Sequence, residues 1–181
     1  MTGDAVTEPA IRTLYDAETI AARTRGIAGE IAELAPRDLL AVAVLKGSFM
    51  FAADLLRALH GAGLAPQVEF IHLSSYGAGT TSSGTVTVVR DIESDVAGRD
   101  VLLIDDILES GRTLAFARDL LLARGARRVL VAVMLEKPGK RAVAFEADVV
   151  GFTCPDLFVV GYGMDAAHRF RQLPFIGVVE G

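Results

Sequence analysis

The residues of this chain that could do chemistry are concentrated in one run from Val101 to Thr113, which reads Val-Leu-Leu-Ile-Asp-Asp-Ile-Leu-Glu-Ser-Gly-Arg-Thr. Its four aliphatic residues predict a strand that is buried on both faces. Asp105 and Asp106 follow at the predicted strand end, where buried charges without partners would be costly. A turn of small and hydroxyl residues comes next, and Leu114 opens a helical pattern. This order of strand, acids, turn and helix predicts a site for a phosphorylated sugar.

Different parts of the run suit different parts of such a ligand. Backbone amides from Ser110 to Thr113, at the start of a helix, would form a nest of partial positive charge for a phosphate, and the two hydroxyls add donors. Asp105 and Asp106 cannot bind phosphate directly. They could accept hydrogen bonds from a sugar diol or position a divalent metal. A plainer alternative is a helix N-cap with a solvated acidic turn.

Two commoner nucleotide-binding signatures are absent from this run. A P-loop ends in Gly-Lys-Ser/Thr, whereas Gly111 is followed by Arg112. No G-x-G-x-x-G fingerprint of a dinucleotide-binding fold follows the strand.

The elements around the run form an alternating pattern that predicts a parallel sheet covered by helices on both faces. The predicted strands span residues 39–45, 68–73, 85–89, 101–104, 129–135 and 148–152. One helix is predicted to begin at an Asp16 cap and to bury a stripe that ends at Leu34. A second helix, over 49–59, is apolar nearly all round and is predicted to be buried. The third is predicted over 114–124.

Composition narrows the class of protein. The 181 residues predict a single domain, and 51% hydrophobic with 23% charged residues indicates a folded one. A net charge of −5 argues against nucleic acid or an anionic membrane as a partner. The single cysteine, Cys154, fits a reducing compartment. No apolar stretch approaches the ~20 residues of a membrane span, and no basic-then-apolar leader opens the chain. We therefore expect a cytoplasmic protein.

The run 101–113 resembles the phosphoribosyl pyrophosphate signature of the type I phosphoribosyltransferases. Three further segments in family order extend the resemblance over about residues 12–180, and the segment 134–165 is similar to the hypoxanthine-guanine branch. The resemblance implies an α/β fold with a central parallel sheet, flanking helices and a small hood built from the chain ends. The implied boundaries are a flexible N-terminus at 1–11, one domain at 12–181 with a core at about 37–153, hood segments at 12–20 and 154–181, and a mobile lid at 75–85.

The resemblance also implies an activity, a cofactor and a set of site residues. The activity is synthesis of IMP or GMP from hypoxanthine or guanine and phosphoribosyl pyrophosphate. The cofactor is Mg²⁺, held by Asp105 and Asp106, with Asp165 at a second ion. The implied phosphoribosyl-binding residues are Asp105, Asp106, Ile107, Leu108, Glu109, Ser110, Gly111, Arg112 and Thr113. The implied pyrophosphate-binding residues are Lys46, Gly47, Ser75, Tyr76 and Arg171, and the implied purine-binding residues are Lys137, Phe158, Val159 and Asp165.

Within this set, Lys137 would donate to the purine 6-oxo group, Phe158 would stack on the base, and the carbonyl of Val159 would accept from a 2-amino group. Glu109 would accept the N7 proton as general base, although the family usually has aspartate at this position. The lid, which begins at Ser75 and Tyr76, would exclude water from the reacting ribose. The turn at Lys46 often contains a cis peptide in this family.

The implied partners are small molecules, with no nucleic acid or membrane and with a homodimer or homotetramer as the assembly. Two alternatives are kept. One is a xanthine or pyrimidine phosphoribosyltransferase, against which Lys137 and the Phe158 segment argue. The other is a regulator of the same fold that binds nucleic acid, against which the acidic net charge and the presence of Glu109 argue.

Overall fold

A computed structural model describes residues 9–75 and 85–180, without the side chain of Ser75. Most of the predicted flexible N-terminus, Tyr76 and nearly all of the predicted lid lie outside the described residues. Within those ranges the chain forms nine strands and three helices. Their bounds are β1 Ile11–Tyr15, α1 Ala17–Glu33, β2 Leu40–Leu45, α2 Phe49–Gly61, β3 Gln67–Ser75, β4 Val86–Arg90, β5 Asp100–Leu108, α3 Arg112–Ala123, β6 Arg128–Glu136, β7 Val149–Thr153, β8 Val159–Val160 and β9 Ile176–Val179.

The main sheet has six strands in the order β4-β3-β2-β5-β6-β7. All neighbours are parallel except β4, which runs antiparallel to β3 at one edge. Helices α1 and α2 pack into the hydrophobic cluster on one face and α3 into the cluster on the other. The predicted α/β fold is confirmed, and its central strand is β5. Within the described ranges no helix is both long enough and apolar enough to cross a membrane.

The strand that carries the acidic pair is longer than predicted. Strand β5 does not end at Ile104, because its pairing with β6 continues to Ile107 opposite Leu135 and Leu108 opposite Glu136. The two carboxylates therefore lie inside the strand, where β6 supplies backbone hydrogen bonds beyond them. Helix α3 begins at Arg112 rather than Leu114, after Gly111 in a left-handed conformation with φ of 79°.

The sequence predicts the positions of helices α1 and α2 correctly, but two side chains that it predicts to be buried are partly exposed. Asp16 caps α1 by accepting a hydrogen bond from the Thr19 amide at 2.8 Å. Leu34, predicted on the buried stripe, is the C-cap residue and is 38% exposed because the helix ends before it. Helix α2 buries one side only, and Phe49 on its outer side is 36% exposed in this single chain.

A second, three-stranded sheet joins the two ends of the chain in the antiparallel order β1-β9-β8. Its buried residues, among them Val159 and Ile176, belong to the same hydrophobic cluster as Ile20 of α1 and Ala41 of β2. The small sheet is thus packed against the main sheet through a shared core, and the segment after β8 lies close to the turn after β2.

Asp100 anchors the beginning of β5, at the opposite end of the strand from the acidic pair. It is fully buried and accepts hydrogen bonds from the Arg37 amide at 2.8 Å, from Arg127 at 2.5 Å and from Arg128 at 2.9 Å. Burial alone would raise the pKa of Asp100, but these hydrogen bonds outweigh it and hold the pKa below its usual value.

We predict that Asp100→Asn lowers the free energy of unfolding by about 2 kcal/mol at neutral pH, because charge-assisted hydrogen bonds are lost. The pKa of Asp100 is lower in the folded state than in the unfolded state, where it is about 3.9. The stabilisation is therefore fully present at pH values above the unfolded-state pKa and is lost as pH falls through the folded-state pKa. Urea unfolding from pH 7 to pH 3 measures both effects. As a control, Glu93→Gln, which removes an exposed partner of Arg90, leaves stability unchanged. Equal effects of the two substitutions would contradict the prediction.

Candidate active site

The acidic pair lies at the carboxyl end of the central strand, with its carboxylates held by neighbouring amides. The Asp106 amide donates to Asp105 Oδ1 at 3.0 Å, and the Ile107 amide donates to Asp106 Oδ1 at 2.9 Å. Burial, and then the charge of Asp106, raise the pKa of Asp105 well above its usual value. Burial also raises the pKa of Asp106, partly opposed by its hydrogen bonds and by the Arg171 guanidinium. Such a pair suits a ligand that brings cations or hydroxyl donors.

A cavity of about 270 Å³, which we call the turn cavity, lies between the acids and the start of α3. The first amides of a helix have no acceptor within it, so they are available to an anion. Of the nine residues predicted to bind the phosphoribosyl group, all but Arg112 line this cavity, together with Leu114. The side chain of Arg112 is exposed.

A second cavity of about 380 Å³, which we call the Lys137 cavity, adjoins the turn cavity. The two share Asp106, Ile107 and Glu109. The structure thereby brings together residues predicted separately for pyrophosphate and for purine. The lining residues outside the shared three are Lys46, Gly47, Lys137, Phe158, Val159, Met164, Asp165 and Arg171. Sequence reasoning missed only Met164 among them, because a methionine within an apolar segment carries no chemical signal.

The turn after β2 is packed between the acidic pair and the segment after β8. The Leu45–Lys46 peptide bond is cis, as expected. A Cβ added to Gly47 would lie 1.8 Å from Asp106 Oδ2, so only glycine allows this contact. On the other side, a Cβ on Gly163, whose φ is 101°, would lie 2.1 Å from the Gly47 carbonyl oxygen. The turn and the acidic pair therefore form one continuous surface.

Glu109 and Lys137 meet where the two cavities join. The Lys137 side chain is only 8% exposed, and its Nζ lies 3.4 Å from Glu109 Oε1. The Lys137 amide donates to the Leu108 carbonyl at 3.0 Å, which fixes the backbone of the lysine beside the end of β5. Phe158 lies on the rim with 62% exposure. A buried cation and a half-exposed carboxylate thus face the same space.

Asp165 and Arg171 form a pair on the far side of the Lys137 cavity. The Arg171 Nη2 lies 2.6 Å from Asp165 Oδ1, and its Nη1 donates to the Gly163 carbonyl at 2.6 Å. The other Asp165 oxygen accepts from the His168 amide at 2.8 Å. Among residues 9–75 and 85–180, no three His, Cys, Asp or Glu side chains are grouped so as to hold a metal ion.

The donor set nevertheless fits magnesium. Mg²⁺ is usually held by one or two carboxylates, with waters and substrate phosphates completing its shell, rather than by a protein cage. The neighbouring carboxylates of Asp105 and Asp106, with raised pKa values that a dication would reverse, match that pattern.

Two predicted residues cannot be placed in the site. Ser75 ends β3, and its side chain is not described. Tyr76 lies outside the described residues.

Comparison with known proteins identifies the family to which the chain belongs. Residues 11–167 match the family model of the phosphoribosyl transferase domain. The chain is 39% identical over 170 residues to a hypoxanthine-guanine phosphoribosyltransferase of Streptococcus agalactiae, and the match covers 93% of each protein. It is similar to the crystal structure of a hypoxanthine phosphoribosyltransferase from Staphylococcus aureus, with a TM-score of 0.89 and 33% identity over 99% of this chain and 97% of that one.

The chain is also 44% identical over 170 residues to the bifunctional protein TilS/HprT of Listeria innocua. That match covers 93% of this chain but 26% of the relative, so the chain spans about a quarter of its length. The family match, the sheet topology and the strand–turn–helix site together show that the chain belongs to the phosphoribosyltransferase family.

Proposed function

We propose that this protein transfers the 5-phosphoribosyl group from phosphoribosyl pyrophosphate to N9 of hypoxanthine or guanine in purine salvage, giving IMP or GMP and pyrophosphate. The observation that carries the proposal is the 3.4 Å approach of Lys137 Nζ to Glu109 Oε1 beside the turn cavity. In a 6-oxopurine, O6 and N7 lie side by side on one edge. The lysine would donate to O6 while the glutamate accepts the N7 proton, which leaves N9 free to attack.

The other substrate would occupy both cavities. Its 5′-phosphate binds the amides between Ser110 and Thr113 and the start of α3, while Asp105 and Asp106 face the ribose hydroxyls. Its pyrophosphate lies against Lys46, Gly47 and Arg171, with Ser75 and Tyr76 as further contacts from the predicted lid. As the bond to the anomeric carbon breaks, the positive charge on the ribose lies beside the acidic pair, which stabilises it.

Magnesium is the proposed cofactor. Asp105 and Asp106 would hold one ion and Asp165 a second. When bound, the metal would supply positive charge that neutralises the leaving pyrophosphate. Removal of the N7 proton remains the task of Glu109, which lowers the cost of N9 attack.

The small sheet would serve as the hood over the purine, because the segments around β8 carry Phe158 and Val159.

We further propose a cytoplasmic homodimer or homotetramer. Exposed apolar side chains on α2, β3 and β4 support this assembly, since contiguous exposed apolar patches mark interaction sites between chains. The exposed residues are Phe49, Val68, Phe70 and Val89. A nucleic-acid-binding regulator is less well supported, because the acidic chain has retained the groups that the transfer needs.

The direct test is turnover. Purified protein is incubated with phosphoribosyl pyrophosphate, Mg²⁺ and each of hypoxanthine, guanine, xanthine, adenine and uracil, and nucleotide formation is followed by chromatography. We expect IMP and GMP as the main products. No turnover with hypoxanthine or guanine would reject the proposal, and preferential use of xanthine or uracil would support the alternative transferase.

Replacing the proposed general base gives a second prediction. Glu109→Gln keeps the shape of the side chain but cannot accept the N7 proton, so kcat falls about 10³-fold. Glu109→Asp keeps the carboxylate and retains most of the activity. Steady-state kinetics with hypoxanthine measures both variants, and an unchanged kcat in Glu109→Gln would assign proton removal to another group.

Lys137 generates a third prediction. Lys137→Ala lowers kcat/KM for hypoxanthine about 30-fold, which corresponds to about 2 kcal/mol for a lost charge-assisted hydrogen bond. The matched control is Lys140→Ala, because Lys140 lies three residues on and pairs with Asp156 in an exposed position. Similar losses in both variants would argue against a specific contact between Lys137 and the purine.

The acidic pair gives a fourth prediction, which concerns stability. Asp105→Asn keeps an acceptor for the Asp106 amide but removes the buried member of two adjacent carboxylates. The ligand-free variant therefore unfolds at a midpoint about 3 °C higher at pH 7, equivalent to about 1 kcal/mol, while activity is lost. Differential scanning calorimetry measures the midpoint, with exposed Asp156→Asn as the control. A lower midpoint for Asp105→Asn would show that the carboxylate stabilises the empty site.

A further inference from the structure

The connection between β6 and β7 packs against Ser110 and Gly111, which line the turn cavity. We call residues 137–145 the strap. The Ala142 amide of the strap donates to the Ser110 carbonyl at 2.8 Å. The Phe145 Cβ lies 3.1 Å from the position of a Cβ added to Gly111, and the Arg118 guanidinium covers the Phe145 ring at 4.4 Å. The phosphate-binding turn is therefore packed directly on the strap.

One side chain of the strap, Arg141, joins the ends of β5 and β6. Its Nη1 donates to the carbonyl oxygens of Leu108 at 3.1 Å, Glu109 at 2.8 Å and Lys137 at 3.2 Å. Its Nη2 pairs with the carboxylate of Glu136, and its Nε donates to the Phe145 carbonyl at 3.1 Å. Arg141 lines neither the turn cavity nor the Lys137 cavity.

We infer that Arg141 is a positioning residue that sets the separation of the Glu109 carboxylate and the Lys137 ammonium. The inference rests on the proposed function, in which these two groups recognise N7 and O6 of the purine. The backbone carbonyl oxygens of Glu109 and Lys137 both accept hydrogen bonds from the rigid, planar guanidinium of Arg141, although Glu109 follows β5 and Lys137 follows β6. A lysine ammonium at the position of Nη1 could reach the three carbonyl oxygens, but it could not also pair with Glu136 and donate to the Phe145 carbonyl, the two contacts that fix the guanidinium in place.

The role predicts a selective kinetic effect. Because misplacement by about 1 Å can cost about 10²-fold in rate, Arg141→Lys is expected to raise the KM for hypoxanthine and to lower kcat, each by about tenfold. The KM for phosphoribosyl pyrophosphate should change less than about twofold, since the Ser110 carbonyl is held by the Ala142 amide rather than by Arg141.

The experiment is a double-mutant cycle of Arg141→Lys with Lys137→Ala. If Arg141 acts through Lys137, the rise in hypoxanthine KM caused by Arg141→Lys shrinks when Lys137 is already absent. Arg118→Ala is the matched control, because the Arg118 guanidinium lies over the Phe145 ring at the far end of the strap; the substitution should alter thermal stability without altering the hypoxanthine KM. Glu136→Gln, which loosens the guanidinium without removing it, should give a smaller change in the same direction as Arg141→Lys.

Chemical rescue provides an independent readout. Adding guanidinium ion to Arg141→Ala should lower its raised KM for hypoxanthine part of the way to the wild-type value, whereas adding it to the wild type or to Arg118→Ala should leave their KM values unchanged. Independent, additive effects in the cycle, or equal changes in the KM values for both substrates, would overturn the positioning role. Wild-type turnover of hypoxanthine is measured alongside, so that failure of the proposed function is distinguished from failure of this inference.

Discussion

The pairing of β5 with β6 is the constraint on which the site depends. Because Leu108 lies opposite Glu136 in a parallel register, the next residue of each strand, Glu109 and Lys137, leaves the sheet at the same level. Side chains 28 positions apart in sequence are thereby brought within hydrogen-bonding reach. A slip of one residue in this register would turn side chains to the opposite face and separate the two groups that we propose recognise the base.

Strand β5 also places two negatively charged side chains next to each other at its carboxyl end, where the protein supplies little positive charge to compensate for them. Asp105 is buried and the adjacent Asp106 is partly buried, and the Arg171 guanidinium only partly opposes the rise in the pKa of Asp106. At its other end the strand begins with Asp100, whose carboxylate is well supplied with donors. The two ends of β5 therefore differ: Asp100 is a charged residue with a structural role, and we propose a functional role for Asp105 and Asp106. At Asp100 the fold supplies three donors to one carboxylate oxygen, whereas at the acidic pair we propose that substrate and metal supply the missing partners.

Much of this arrangement could be predicted from the sequence, for identifiable reasons. Aliphatic runs determine the sheet, and the cost of a buried acidic pair makes Val101–Thr113 conspicuous. The end of β5 could not be predicted, because the strand continues past the acids only where β6 offers partners. The partial exposure of Phe49 was missed because α2 is apolar nearly all round, so that its pattern does not show which side faces the core. Arg141 gave no signal, since its acceptors are carbonyl oxygens whose positions depend on the tertiary fold.

The contact between Gly163 and the carbonyl of Gly47 has a consequence for how the protein can be altered. The segment after β8 and the turn after β2 meet backbone to backbone, with no side chain between them to absorb a displacement. A change in the small sheet that shifts Gly163 therefore shifts the turn as well. Under the proposed function, redesign of base preference through β8 and its flanks would alter binding of the leaving pyrophosphate at the same time, unless both glycines and their spacing are preserved.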